Sequence, residues 1–318
     1  MVRPTESWRE REAGTAARVA LLIAAFVVLP VAAGCGGGGR TAAWEDTTAD
    51  TAPVTAESQS QKEQLVEQGN AAWEQRDDEA QLRAAIAAWQ QALELDASDW
   101  ELWHRLARAQ YFLADGHMAF DPALEAETTQ MYQNAVTSAE QSLLHLSPEF
   151  AQRMNAGERV DQALSVLTAQ AAPALYWRSA GLGKWARRDG FATLLSHKDE
   201  IRAIMTRVLE LDRDYFYAGP DRYFGAFFAV APTYAGGDLP TSRQHFEYSI
   251  SRSPNYFGTH VLFAVEYAVK AQDRALFERE LNFVINGDPN ALPDVRPENL
   301  AEQRKATEAM ARIDELFE

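Results

Sequence analysis

From Lys62 onward, hydrophobic positions recur every three to four residues in long stretches rich in Ala, Leu, Glu, Gln and Arg, broken by Pro, Gly and Asp. No stretch keeps the two-residue rhythm of a half-buried strand, so the pattern predicts helices and almost no sheet. Five turns, DASDW, LSPEF, DRDYF, SPNYF and DPNAL, mark helix ends at Ala97, Ser147, Arg213, Pro254 and Pro289. The same four places before each turn hold Ala85, Trp89, Ala92 and Leu93; Ala135, Ala139, Ser142 and Leu143; Ile201, Met205, Val208 and Leu209; Ser242, Phe246, Ser249 and Ile250; and Phe277, Leu281, Val284 and Ile285. All are apolar or small, at the i, i+4, i+7, i+8 spacing of one helix face.

That face is the second-helix signature of a tetratricopeptide repeat. First helices show as Leu65, Gly69 and Trp73; Trp103, Leu106, Ala107 and Tyr111; Phe224, Gly225 and Phe228; and Phe263, Ala264 and Tyr267. The anchors lie 50, 66, 41 and 35 residues apart, so most units carry insertions. The largest insertion, Glu149 to Lys198, is expected to add helices near 159–170 and 174–187. A closing helix over 298–317 is expected to cap the array, because terminal repeats need a polar outer face. The fold class is therefore all-α, a tetratricopeptide-like array of about four to five helix pairs with insertions and a C-terminal capping helix, over residues 61–318.

The N-terminus follows another logic. Arg3, Arg9, Arg11 and Arg18 precede an apolar run from Val19 to Ala33, then Gly34 and Cys35. Interrupted by Pro30, this run is shorter than the roughly 20 residues a spanning helix needs, and its layout is that of an export signal over 1–34. Ala32, Ala33, Gly34 and Cys35 resemble a lipobox, with Ala32 where Leu is usual. The resemblance implies that Cys35 carries lipid and anchors the chain. Residues 35–60, rich in Gly, Thr, Ala and Ser, read as a flexible, unpacked linker.

Charge and chemistry then narrow the function. Thirty basic against 46 acidic residues, with no basic run, argue against a nucleic-acid partner. A single cysteine excludes a disulfide within the chain and a thiolate metal cluster. The six histidines form no metal-binding motif, no nucleophile elbow or phosphate loop is present, and no cofactor is expected. The chain reads as a binding protein and not an enzyme. Candidate ligand residues come from an aromatic group in the second half: Tyr176, Trp177, Tyr223, Phe227 and Tyr234, with Arg222 as a polar contact. Asp238 is weighed as a ligand residue against a helix cap.

The second half is also particular in its motifs. The segment from Ala218 to Pro289, above all Gly219, Pro220, Arg222 and Gly225, then Pro232, Gly236, Gly237 and Asp238, resembles the T-component family of TRAP transporters. ALYW at 174–177 and LELDRDYFY at 209–217 extend the likeness. It implies a periplasm-facing lipoprotein with four tetratricopeptide-like units and a cavity for small apolar organic ligands. It further implies homotrimeric assembly and contact with a TRAP solute-binding protein. Gly36, where Asp would favour inner-membrane retention, points to the outer membrane. A tetratricopeptide scaffold for protein–protein contacts in envelope assembly is the alternative.

Overall fold

The computed structural model describes residues 40–45 and 55–317; the expected export signal and Cys35 lie outside them. Helices form where the periodic stripes place them, and no strand occurs among the described residues. The first repeat pairs α1 (Ala56–Trp73) with α2 (Glu79–Leu95). The second pairs α3 (Trp100–Phe112), prolonged by a wide turn over Leu113–His117, with α4 (Glu125–Leu146). Short α5 (Pro148–Asn155) and α6 (Val160–Ala163) follow. The third repeat pairs α7 (Ala172–Asp189) with α8 (Phe191–Leu211), the fourth α9 (Tyr215–Val230) with α10 (Leu239–Arg252). The fifth joins α11 (Phe257–Leu262), a wide turn over Phe263–Ala268 and α12 (Val269–Ala271) to α13 (Arg274–Asn286). Two closing helices follow, α14 (Arg296–Met310) and α15 (Ile313–Leu316).

Local chemistry sets where these helices begin. The side chains of Thr55, Asp78, Asp99, Ser147 and Asp273 each accept a backbone N–H of the first turn that follows, satisfying a donor the helix cannot. All five anchors fall at or just beyond helix ends, and 17 of the 20 stripe positions are buried, Leu209, Ile250 and Ile285 being half-buried. Gly69 shows why a first helix needs a small residue: a Cβ there would lie 2.3 Å from Trp89 Nε1.

Three expectations are corrected. The expected helix near 159–170 is broken into α6 and two short 3-10 turns, Leu164–Val166 and Ala169–Ala171. The expected insertion helix at 174–187 is α7, which serves as the first helix of the third pair. The linker over 35–60 is not unpacked throughout. Helix α1 already starts at Ala56, and Ala42, Ala43 and Trp44 are buried against α4 and α5, with the Trp44 ring 6.1 Å from Phe150. Glu140, fully buried, holds this segment by accepting from Arg40 and from the Ala43 N–H at 2.9 Å, while Arg178 of α7 donates to it at 3.0 Å.

The array closes on itself. Helix α14 packs on α11 and α13 and also reaches the wide turn that ends α3. Glu298, in its first turn, accepts from Arg76 between α1 and α2 (2.9 Å) and from Arg108 on α3 (2.7 Å). Lys305 meets Asp115 in the wide turn after α3, and Arg296 meets Asp77 at 2.7 Å. The predicted cap is therefore also a clasp between the last repeat and the first.

His104 on α3 gives this fold a pH signature. Burial, reinforced by Arg105, lowers its pKa to about 4 from an ordinary 6.5. Between those values the unfolded chain binds a proton that the folded chain refuses, so stability falls as pH drops from 6.5 towards 4. Thermal unfolding followed across that window is expected to show a falling Tm, and His104→Gln is expected to flatten the fall; an equal slope in both would contradict the assignment.

Candidate functional site

The first helices of four repeats and α14 face a common interior. Its central compartment, about 260 Å³, is lined by Arg108 and Tyr111 of α3, Asp115 of the wide turn after it, Trp177 of α7, Val261 of α11 and Glu302 of α14, among others. A second compartment of about 280 Å³ lies between α7, α8 and α9 and is mostly apolar, with Leu194, Ile201, Met205, Tyr223, Ala226 and Phe227 in its walls. Tyr111, Tyr176, Lys184, Arg222, Leu262 and Glu266 line both compartments, so Tyr176 and Arg222 stand on the boundary between them.

An unusual piece of backbone builds that boundary. Phe216, Tyr217 and Ala218 take left-handed conformations at φ 45°, 60° and 52°, although none is glycine. Such residues cost roughly 1–2 kcal/mol each, and their neighbours must hold them there. Arg222, one turn on, does so: Nη2 donates to the Phe216 carbonyl and Nη1 to the Tyr217 carbonyl, both at 3.1 Å. The same guanidinium donates to the Tyr176 hydroxyl at 2.7 Å and to Thr259 Oγ1 at 3.4 Å. Gly219 lets Tyr176 close on the bend, since a Cβ there would lie 2.5 Å from the ring. The bend turns Phe216 inward, 4.7 Å from Trp177 and 5.5 Å from Tyr256 between ring centres.

Charge is distributed unequally over the two compartments. In the centre, burial raises the Asp115 pKa, but Lys184 and Lys305 more than offset this and hold it far below the carboxylate range. Tyr132 also donates to Asp115, at 3.0 Å. The other compartment exposes mainly apolar surface, with its charged groups spread along the walls, and burial pushes the Tyr223 hydroxyl well above its ordinary value. Its mouth is rimmed by exposed Phe191 (64%), Leu195 (43%) and Val230 (40%).

Of the seven residues weighed for ligand contact, Tyr176, Arg222, Tyr223 and Phe227 come together in the apolar compartment. Trp177, the next residue along α7, lines the central one and donates its indole N–H to the Tyr215 hydroxyl at 3.1 Å. Tyr234, 83% exposed, and Asp238, at the exposed start of α10, line neither. The Asp238 carboxylate accepts from Thr241 instead. Sequence reasoning missed the α8 wall, Leu194, Leu195, Ile201 and Met205, and missed Tyr111. Ile201 and Met205 are stripe positions, so their spacing pointed to core only.

A closed ring of helix pairs around an interior with one mostly apolar and one charged compartment defines an all-α helical-repeat protein. The model of the TRAP transporter T-component family matches residues 112–317, well over half the chain, and the protein belongs to that family. It is thus an accessory component of TRAP-type transport. No curated protein matches the chain.

Proposed function

We propose that this protein is a lipid-anchored, periplasm-facing accessory of TRAP-type uptake that holds a small apolar organic ligand and exchanges it with a solute-binding protein. One observation carries the reading: the apolar compartment between α7, α8 and α9, with Tyr223 and Phe227 in its wall and an exposed apolar rim at its mouth. Concave, mostly apolar sites with a few placed polar groups are the usual form of small-molecule pockets. Exposed Phe191, Leu195 and Val230 next to that mouth suit a partner seated over it, because such patches mark interaction surfaces. The family match supports the transport context.

A photo-crosslinking residue in place of Phe191, in cells carrying the TRAP system, is expected to capture the solute-binding protein. The same residue in place of exposed Glu67 on α1 is expected to capture none. Equal capture from both positions, or none from either, would argue against docking at the mouth. Anchoring rests on the lipobox-like Ala32–Cys35 stretch, and two or three acyl chains would hold the protein stably. Cys35→Ala is expected to move it into the soluble fraction after carbonate washing. A variant that stays wholly with the membrane would remove the lipid anchor from the account.

A further inference from the structure

We infer that the ligand of the apolar compartment is an amphiphile with a single carboxylate, its head against Arg222 at the inner end and its chain running outward past Tyr223 and Phe227 to the Phe191 mouth. This rests on the ligand-binding reading above and adds the chemical class.

The argument is one of unbalanced charge. Four cations line the compartment, Lys184, Arg187, Lys198 and Arg222. Three already meet a carboxylate: Lys184 meets Asp115, Arg187 meets Glu266 and Lys198 meets Asp199. Arg222, 5% exposed, meets none among the described residues; every acceptor it has is neutral. A buried charge without a counter-ion is costly. The four N–H groups on its Nη atoms are taken by two carbonyls and two hydroxyls, and Nε–H, the fifth donor, has no acceptor among the described residues.

Two further donors belong to the same place. The Tyr176 hydroxyl accepts from Arg222, and its own proton has no acceptor among the described residues. The Tyr111 hydroxyl, on the other residue shared by both compartments, makes no hydrogen bond there either. One positive charge with up to three unused donors is a carboxylate-sized demand, and charge-assisted hydrogen bonds of this kind are the strong ones. The nearby acids offer no competition, since Asp115, Glu266 and Glu298 are each bound to other cations.

The test uses the folded wild-type chain freed of co-purified lipid, with the neutral dye Nile red reporting on the apolar compartment. Decanoate and 1-decanol present the same chain and differ in the head. Decanoate is expected to displace the dye at a roughly tenfold or greater lower concentration than the alcohol, and added salt is expected to narrow the gap only slightly at so buried a charge. Arg222→Met should bring decanoate to the alcohol's level and Arg222→Lys should restore part of the preference. Because Arg222 also braces the left-handed bend, the wild-type comparison decides on its own if these variants do not fold. Decanol binding as well as or better than decanoate overturns the carboxylate and leaves the ligand reading intact; failure of Nile red and of both chains to bind overturns that reading itself.

Discussion

Glu298→Ala is expected to open the ring and to cost about 3–5 kcal/mol, the range for removing one partner of a buried ion pair. The carboxylate is almost buried, with 9% of its side chain exposed, and it accepts from Arg76 through both oxygens and from Arg108. Its loss strands two guanidinium groups, that of Arg76 only 5% exposed, which pair with no other carboxylate among the described residues. Two features separate this from ordinary destabilisation. The cost should exceed that of Glu79→Ala, whose carboxylate forms an exposed pair with Arg83 within α2 and is worth roughly 0–1 kcal/mol. Hydrogen exchange should also rise first in α14 and the turn holding Arg76, because those are the parts the clasp joins. Chemical denaturation showing a loss no larger than for Glu79→Ala would mean that the ring does not depend on this clasp.

How much of this was legible in the sequence follows from range. The stripes from Ala85 to Ile285 repeat a local spacing, so helix pairs and turn ends could be read from periodicity alone. Ring closure could not: Arg76 and Glu298 are 222 residues apart and belong to no repeating pattern. The Ala42–Trp44 anchor was hidden by its surroundings, where one large aromatic in a Gly- and Thr-rich stretch was the single signal. Helix α7 was taken for an insertion because α5, α6 and two short turns separate it from the preceding pair.

The site was half legible for similar reasons. Tyr223 and Phe227 are four residues apart and share a helix face, so one argument singled out both, and both line the apolar compartment. Tyr176 and Trp177 are adjacent on a helix and both line the central compartment, but only Tyr176 also lines the apolar one, and spacing offered no way to choose between them. The left-handed run from Phe216 to Ala218 carries no glycine to announce it. Its brace, Arg222, could be weighed only as a polar contact within an aromatic group. Tyr234 and Asp238 were drawn in by nearness in sequence to that group, but the turn around Gly236, at φ 96°, carries them to the outside.

The apolar compartment makes the largest functional prediction. Tyr223 and Phe227 are half-buried, their rings 6.1 Å apart and nearly parallel, forming one continuous apolar wall. Burying an aromatic or aliphatic side chain completely is worth about 1.5–3 kcal/mol. Two rings that give part of their surface to a ligand would together contribute about 2–3 kcal/mol, or roughly 30- to 100-fold in affinity. Neither ring is fully buried, Tyr223 packing against the edge of the core, so the double alanine variant should keep its fold better than its binding. Native mass spectrometry of the full-length protein, released gently from its own membranes, reads that difference directly. The wild type is expected to carry a bound small organic molecule, and Tyr223→Ala with Phe227→Ala, equally helical by circular dichroism, is expected to have lost most of it. Equal ligand content in the two proteins, or none in the wild type, would contradict a ligand-holding role and leave a scaffold for protein partners as the better account.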